Sequence, residues 1–177
     1  KITGFENNAK MLEISNQNIK INNYEKIIKV LNINIEGNLQ KIEKSMGQSF
    51  DHIFANPPYF NNNSSTIPKN NNKKVANIGN SKTLETWVRK SLSFSKSGGK
   101  VTFINHIDNF PELLNLFSTK MGGIEVTPIF SKRNTFASRV IISGIRDSKK
   151  SINFNNGLIL NNLKGTPTRR VENILRQ

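Results

Sequence analysis

The sequence has no cysteine, only two histidines and a single tryptophan among its 177 residues. Without cysteine there can be no disulfide framework and no thiolate metal site. His52 and His106 are too few and too scattered to indicate a metal centre. No apolar run approaches the ~20 residues that a membrane span needs, and there is no signal peptide. These absences favour a cytoplasmic protein with no metal and no membrane contact.

Acidic residues are also scarce, with 12 Asp and Glu against 26 Lys and Arg, a net charge of +14. Residues 1–60 hold 7 basic and 6 acidic side chains, a net of +1. Residues 61–177 hold the other 19 basic and 6 acidic ones, a net of +13. A lysine-rich genome is the plainer explanation, but the nearly neutral first third argues against it. We interpret the asymmetry as a surface for a polyanion, most simply RNA or DNA.

The most specific motif is the segment Phe50–Phe60, Phe-Asp-His-Ile-Phe-Ala-Asn-Pro-Pro-Tyr-Phe. Its apolar residues predict a buried parallel strand, which must end at Asn56 because two prolines follow. The Asn56 side chain and the Pro57 carbonyl can both accept hydrogen bonds from one NH₂ group, and Tyr59 offers an aromatic face for a flat ring. Such acceptors stabilise the positive charge that develops when an amide or an adenine amine attacks an electrophile. An ordinary Pro-Pro loop is the alternative.

Strands and helices are predicted to alternate around this motif. The other predicted strands are Lys1–Glu6, Ile27–Ile33, Lys100–Asn105, Ile124–Phe130, Ala137–Ile145 and Leu158–Leu160. The predicted helices are Asn8–Asn22, Leu39–Met46, Thr83–Phe94, Pro111–Lys120 and Thr168–Arg176. The strands at 124–130 and 137–145 must be antiparallel, since the link between them is too short for a helical crossover. The pattern predicts one α/β domain over residues 1–177.

Two further regions carry candidate binding residues. Residues Asn61 to Asn80 predict a long polar loop, either a rim over a base pocket or a disordered Asn-rich insert. Its Lys73 and Lys74 are candidate phosphate contacts. Glu6, at the end of the first strand, fits the acidic residue that binds ribose hydroxyls in nucleotide-binding sheets, although helix capping is an alternative. The glycine-rich loop of such sheets is absent and would lie upstream of residue 1.

The tetrapeptide Asn56–Tyr59 resembles the Asn-Pro-Pro-Tyr motif of class I S-adenosylmethionine-dependent methyltransferases that act on adenine or glutamine amino groups. Further segments look like those of the bacterial methyltransferases that modify adenine beside the anticodon of a valine tRNA, and they occur in the same order. They are Glu85–Val88, Ser97–Gly99, Pro128–Arg133, Ala137–Gly144, Gly157–Leu160 and Glu172–Arg176. The resemblance implies a Rossmann-like, mostly parallel sheet with a C-terminal antiparallel hairpin. It also implies that the first strand and the glycine-rich loop are missing.

The resemblance further implies S-adenosylmethionine as cofactor and tRNA as partner. It assigns the adenine amine to Asn56, Pro57 and Tyr59, and the cofactor to Glu6, Asn34 and Asn56, with Asn34 standing where Asp is usual. The candidate RNA contacts are Lys73, Lys74, Lys132, Arg133 and Arg139, together with Arg169 and Arg170.

Three alternatives remain open. In the first alternative, the methyl group is transferred to a glutamine amide of a protein such as a release factor, although the basic half of the chain argues against it. A DNA adenine is a weaker variant, because we see no additional target-recognition domain. The third alternative is an RNA-binding fragment that cannot bind cofactor, since the glycine-rich loop is missing.

Overall fold

The computed structural model describes residues 1–58 and 72–176, and for residues 72–81 it describes the backbone alone. Strands and helices alternate along the chain, as the hydrophobic pattern predicts. The strands are β1 (Ile2–Glu6), β2 (Ile28–Asn32), β3 (Phe50–Ala55), β4 (Ser95–His106), β5 (Met121–Phe130), β6 (Ala137–Arg146), β7 (Asn153–Phe154) and β8 (Leu158–Ile159). The helices are α1 (Ala9–Ile21), α2 (Gln40–Met46), α3 (Asn72–Phe94), α4 (Phe110–Ser118) and α5 (Arg169–Leu175). No described helix is long and apolar enough to cross a membrane.

The strands form two sheets. β1 and β2 pair in parallel as a two-stranded sheet. The other sheet has the order β3-β4-β6-β5-β7, with β8 also paired to β5. β3 and β4 are parallel, whereas β6 is antiparallel to both β4 and β5. The predicted α/β class is therefore confirmed, and so is the antiparallel pair that follows the parallel strands.

The chain divides into two compact units, Lys1–Lys44 and Ser45–Gln177. In the second unit, α3 and α4 contribute buried side chains to a core with the central strands, among them Leu84, Phe103, Phe117 and Ile142. The rings of Phe103 and Phe117 meet edge to face, with centroids 5.5 Å apart. In the first unit, α1 has no buried residue. Of the apolar side chains of α1, Leu12 and Ile19 are half-buried and the others are exposed.

The predicted helix starts agree with the local chemistry. The Asn8 side chain accepts hydrogen bonds from the backbone N–H groups of Lys10 and Met11, so Asn8 caps α1. Thr168 caps α5 in the same way, through the N–H of Val171. A proline lies in the first turn of α4, where its missing N–H costs no hydrogen bond.

Three predictions of local structure are wrong. The polar loop predicted over residues 61–80 is helix from Asn72 onward, because α3 extends over Asn72–Phe94, while residues 61–71 lie outside the described part of the chain. Lys and Ala are good helix formers, and Asn costs only a few tenths of a kcal/mol at each position. The strand predicted to begin at Lys100 begins at Ser95, so Gly98 and Gly99 lie inside β4, in a bulge where the pairing shifts between Phe50 and His52. Phe54, expected to be buried, is 67% exposed, because it lies on the face of β3 opposite the buried Ala55.

Candidate functional site

Asn56 and Pro57 directly follow the carboxyl end of β3. Asn56 is exposed, and its side chain has no hydrogen bond to any other described residue. Pro57 is fully buried, so its ring anchors the backbone that carries the Asn56 amide. The neighbouring strand β4 is parallel, with Ala55 opposite Phe103. The candidate amine-binding residues therefore lie at the carboxyl edge of the six-stranded sheet, as predicted. Tyr59 lies outside the described residues.

The carboxyl end of β4 adds a buried amide that sequence reasoning missed. Asn105 is completely buried, and its Oδ1 accepts hydrogen bonds from the His106 N–H and from Asn109 Nδ2, both at 2.7 Å. Its Nδ2 is a buried donor without a partner in the described part of the chain. A lone amide at the end of an otherwise apolar strand is the signal that could have found it.

The hairpin between β5 and β6 reaches the same edge. Since β6 is antiparallel to β4, its first residues lie beside the carboxyl end of β4, and Arg139 is directly opposite His106. Lys132 and Arg133 lie in the loop of this hairpin, and both are exposed. Three of the predicted RNA contacts, Lys132, Arg133 and Arg139, thus share one sheet edge with Asn56.

Lys73 and Lys74 are placed differently from the prediction. Both belong to the first turn of α3 rather than to a loop, and their side chains lie outside the described residues. Arg169 and Arg170 form the start of α5, where the Arg170 guanidinium donates to the Gly157 carbonyl at 3.4 Å.

Glu6 and Asn34 lie together in the first unit, at the carboxyl edge of its two-stranded sheet. Glu6 is the last residue of β1 and pairs with Asn32, two positions before Asn34. One carboxylate oxygen of Glu6 accepts the Asn8 N–H at 2.7 Å, so the helix-capping alternative is realised. Asn34 Oδ1 accepts the Glu36 N–H at 3.0 Å in a tight turn. Each side chain keeps a further polar atom for a ligand: the second carboxylate oxygen of Glu6 and the Nδ2 of Asn34.

The two carboxyl groups whose pKa is shifted, those of Asp51 and Glu125, lie away from the edge that carries Asn56. A hydrogen bond and the charge of Lys96, 2.7 Å away, lower the pKa of Asp51. Lys100, at 2.8 Å, lowers the pKa of Glu125 in the same way, with Ser143 as a further donor. These pairs stabilise the strands rather than prepare an acid or base. Among the described residues, no group of three or more His, Asp or Glu side chains could hold a metal.

The chain is similar to methyltransferases. Residues 2–112 match the family model described as Eco57I restriction-modification methylase. Comparison with curated proteins gives no significant match. A predicted O-methyltransferase of Agrobacterium tumefaciens, Atu636, has the same fold with a TM-score of 0.75 at 20% identity. That alignment covers 98% of this chain and 76% of Atu636.

Two further structures share the fold. The tRNA (m1A58) methyltransferase TrmI of Aquifex aeolicus has a TM-score of 0.55 at 13% identity, over 82% of this chain. An S-adenosylmethionine-dependent O-methyltransferase of Thermotoga maritima has a TM-score of 0.55 at 11% identity, over 84% of this chain. The alignments span only 53% of TrmI and 51% of the Thermotoga protein.

At these identities the structural likeness establishes the fold alone, whereas the family model matches more than half of the chain. The chain belongs to the Eco57I restriction-modification methylase family and is a class I S-adenosylmethionine-dependent methyltransferase.

Proposed function

We propose that this protein methylates the exocyclic amino group of an adenine in tRNA, near the anticodon. The observation that carries the proposal is the position of Asn56, an exposed amide with no hydrogen bond to another described residue. It directly precedes a buried proline, at the edge that carries Lys132 and Arg133. A nucleic-acid base substrate requires a group that accepts hydrogen bonds from its amine and, at the same edge, cations that bind phosphate. The match over residues 2–112 includes parts of both units, which supports our proposal of one methyltransferase domain.

The chemistry asked of these residues is modest. The lone pair of an adenine amine is delocalised into the ring, which makes the amine a poor nucleophile. In our proposal Asn56 Oδ1 and the Pro57 carbonyl accept its two N–H groups, favour a tetrahedral nitrogen and stabilise the positive charge that develops there. The remaining contribution is positioning of the amine for in-line attack. The proton leaves to water after transfer, so no general base is needed. Tyr59 is proposed to stack on the adenine ring.

The cofactor supplies an electrophilic methyl group on a sulfonium. The residues at the carboxyl edge of the two-stranded sheet fit its nucleoside part. In our proposal the second carboxylate oxygen of Glu6 accepts a ribose hydroxyl, and the Asn34 side chain contacts the adenine of the cofactor. Since Asn34 Oδ1 already accepts a backbone N–H, its Nδ2 is the better placed group. Asn56 is proposed as the residue that contacts both cofactor and acceptor.

A second candidate substrate is adenine in DNA. The family match to a restriction-modification methylase favours it, and the amine chemistry is the same. The basic hairpin between β5 and β6 fits either RNA or DNA, so experiment must decide which nucleic acid is methylated.

The test is methyl transfer from labelled S-adenosylmethionine, with the protein expressed from its complete gene. Separate reactions contain unmodified tRNA, duplex DNA and release-factor protein, followed by nucleoside or peptide digestion. We expect label in N6-methyladenosine from tRNA. Asn56→Ala should lower kcat roughly 10²- to 10³-fold, the usual loss for one dipole that stabilises developing charge.

Asn16→Ala, which removes an exposed side chain from α1 in the first unit, is the matched control and should keep normal activity. Label in DNA alone would replace tRNA by DNA as substrate. Label only in a glutamine of the release factor would contradict the proposal of a nucleic-acid substrate. Full activity of Asn56→Ala would remove Asn56 from the mechanism.

A further inference from the structure

Phe136 is the most exposed large apolar side chain of the described residues, at 98%. It is the last residue of the β5–β6 loop, Ser131–Phe136, which we call the basic hairpin loop. A phenylalanine left almost entirely in water loses the stabilisation that burial would give it. Neither the core nor the sheet pairing of the described residues accounts for an aromatic ring at this point.

The exposure is built into a defined loop. Asn134 has a positive φ of 58°, a left-handed conformation that asparagine tolerates in turns. The Thr135 hydroxyl donates to the Lys132 carbonyl at 2.8 Å. At the base of the loop, the Ser131 carbonyl accepts the Asn161 backbone N–H at 3.0 Å and its side-chain amide at 3.3 Å. A loop fixed in this way presents the ring at low entropic cost on binding.

The charge around the ring identifies the kind of partner. Lys132 and Arg133 are exposed in the same loop, and neither has an ion pair with another described residue. No acidic residue occurs between Glu125 and Asp147. One aromatic ring flanked by cations is the combination with which proteins hold single-stranded nucleic acid, the ring stacking on a base and the cations contacting phosphates. A protein partner would need a larger apolar patch than one ring.

The sheet order indicates which base the ring reaches. β6 lies two strands from β3, and neighbouring strands are about 4.8 Å apart. Phe136, immediately before β6, is therefore displaced by about 10 Å along the edge from Asn56. Bases along a stacked strand are about 3.4 Å apart, so the ring cannot stack on the base whose amine lies at Asn56. It reaches a base a few nucleotides away.

We propose that Phe136 stacks on an unpaired base near the methylated one, while Lys132 and Arg133 contact the adjoining phosphates. The basic hairpin loop then selects unpaired substrate segments over continuous duplex, since a ring can stack only on a base whose neighbour has moved away. This inference rests on the proposed nucleic-acid substrate, but it does not require that the acceptor be tRNA.

The test is equilibrium binding of a fluorescent RNA hairpin with an unpaired loop, and of a blunt duplex with the same stem, at one fixed salt concentration. Phe136→Ala and Phe136→Leu should each weaken binding of the RNA hairpin roughly five- to a hundredfold, as expected for one lost base stack. Both should bind the duplex as the parent protein does. Phe136→Trp should retain binding of the RNA hairpin. Leu175→Ala, which removes a 75% exposed side chain from α5, is the control and should leave both affinities unchanged.

Charge is separated from stacking by the double variant Lys132→Gln with Arg133→Gln. It should weaken both RNAs alike and lower the slope of log K against log salt by about 1 to 2. Equal losses on the RNA hairpin and the duplex in Phe136→Ala, or normal binding by Phe136→Leu, would overturn the stacking role. So would Phe136-dependent binding to phosphatidylserine vesicles that exceeds binding to RNA.

Binding is measured without methyl transfer, so the two proposals fail separately. Loss of the Phe136 effect with methylation intact contradicts only this inference. A Phe136 effect that persists while label appears in DNA contradicts only the tRNA substrate.

Discussion

The two compact units of the chain build similar polar edges on very different supports. In the second unit, Asn56 follows a strand whose sheet packs on a continuous core that includes Val101, Phe103 and Phe117. In the first unit, Glu6 and Asn34 follow strands of a two-stranded sheet whose helix α1 has no buried residue. An isolated sheet of that size is marginal in stability. The better-supported sheet is therefore the one that carries Asn56.

The difference matters because the two edges have different tasks in our proposal. Acceptors that stabilise developing charge must be fixed before the reaction, since reorganisation during it would cost the energy they supply. Residues that hold a cofactor can instead become ordered on binding, because the free energy of cofactor binding offsets the entropy that they lose. We interpret the edge at Asn56 as preformed, and the edge at Glu6 and Asn34 as one that cofactor binding would consolidate.

The largest test of this comparison is a matched pair of truncations, one in each unit. Phe117 is fully buried against Phe103, so Phe117→Ala should lower the free energy of unfolding by about 3–5 kcal/mol. Leu12, half-buried on α1, has no closed cavity to leave, and Leu12→Ala should cost about 1 kcal/mol.

Urea unfolding followed by tryptophan fluorescence separates the two units. Trp87 is the only tryptophan, and it packs against the core of the second unit. Phe117→Ala should shift its transition strongly, whereas Leu12→Ala should leave it nearly unchanged. Equal shifts in the two variants would show that both units unfold together and would break the comparison.

A smaller effect is expected at the cofactor edge. Glu6→Gln keeps an oxygen that accepts the Asn8 N–H, so α1 should still begin normally. It removes the charge that strengthens a hydrogen bond from a ribose hydroxyl. Titration calorimetry should give an affinity for S-adenosylmethionine roughly ten- to a hundredfold lower, since hydrogen bonds to charged groups contribute about 1.5–3 kcal/mol. Glu13→Gln, exposed on α1, is the control. An unchanged affinity for the cofactor in Glu6→Gln would remove Glu6 from the site.

Much of this arrangement could be predicted from the sequence because the informative signals are local. Period-2 and period-3.6 patterns identified most elements, the Pro-Pro pair fixed the end of β3, and the short link between two strands required the antiparallel pair. The motif at Asn56 also indicates that the candidate site lies at the carboxyl end of β3.

The remaining features depend on contacts distant in sequence. The bulge at Gly98–Gly99 follows from the pairing of β3 with β4, which local composition does not reveal. The extension of α3 to Asn72 is different, because its Lys and Ala residues favour a helix locally although its Asn residues suggest a loop. Asn105 looks like one more strand residue until its burial and its bond to Asn109 are seen. Phe136 reads as an ordinary core residue, and only the fold shows it in solvent.

The smallest expected effect concerns acid, and it sharpens the comparison because it belongs to the second unit. Lys100 lowers the pKa of Glu125 in the folded protein, so the unfolded chain takes up this proton at a higher pH than the folded one. The pair therefore stabilises the fold above the unfolded pKa of glutamate, and this contribution is lost as the pH falls through the lowered pKa. Both side chains are more than 40% exposed, so the contribution should stay below about 1 kcal/mol. Trp87-monitored urea unfolding between neutral and acidic pH should show a shallower decline for Glu125→Gln than for the parent. Glu172→Gln, a carboxylate without an ion pair among the described residues, should follow the parent curve. A decline as steep in Glu125→Gln as in the parent would assign the acid sensitivity of the second unit to other carboxylates, with Asp51 as the next to replace.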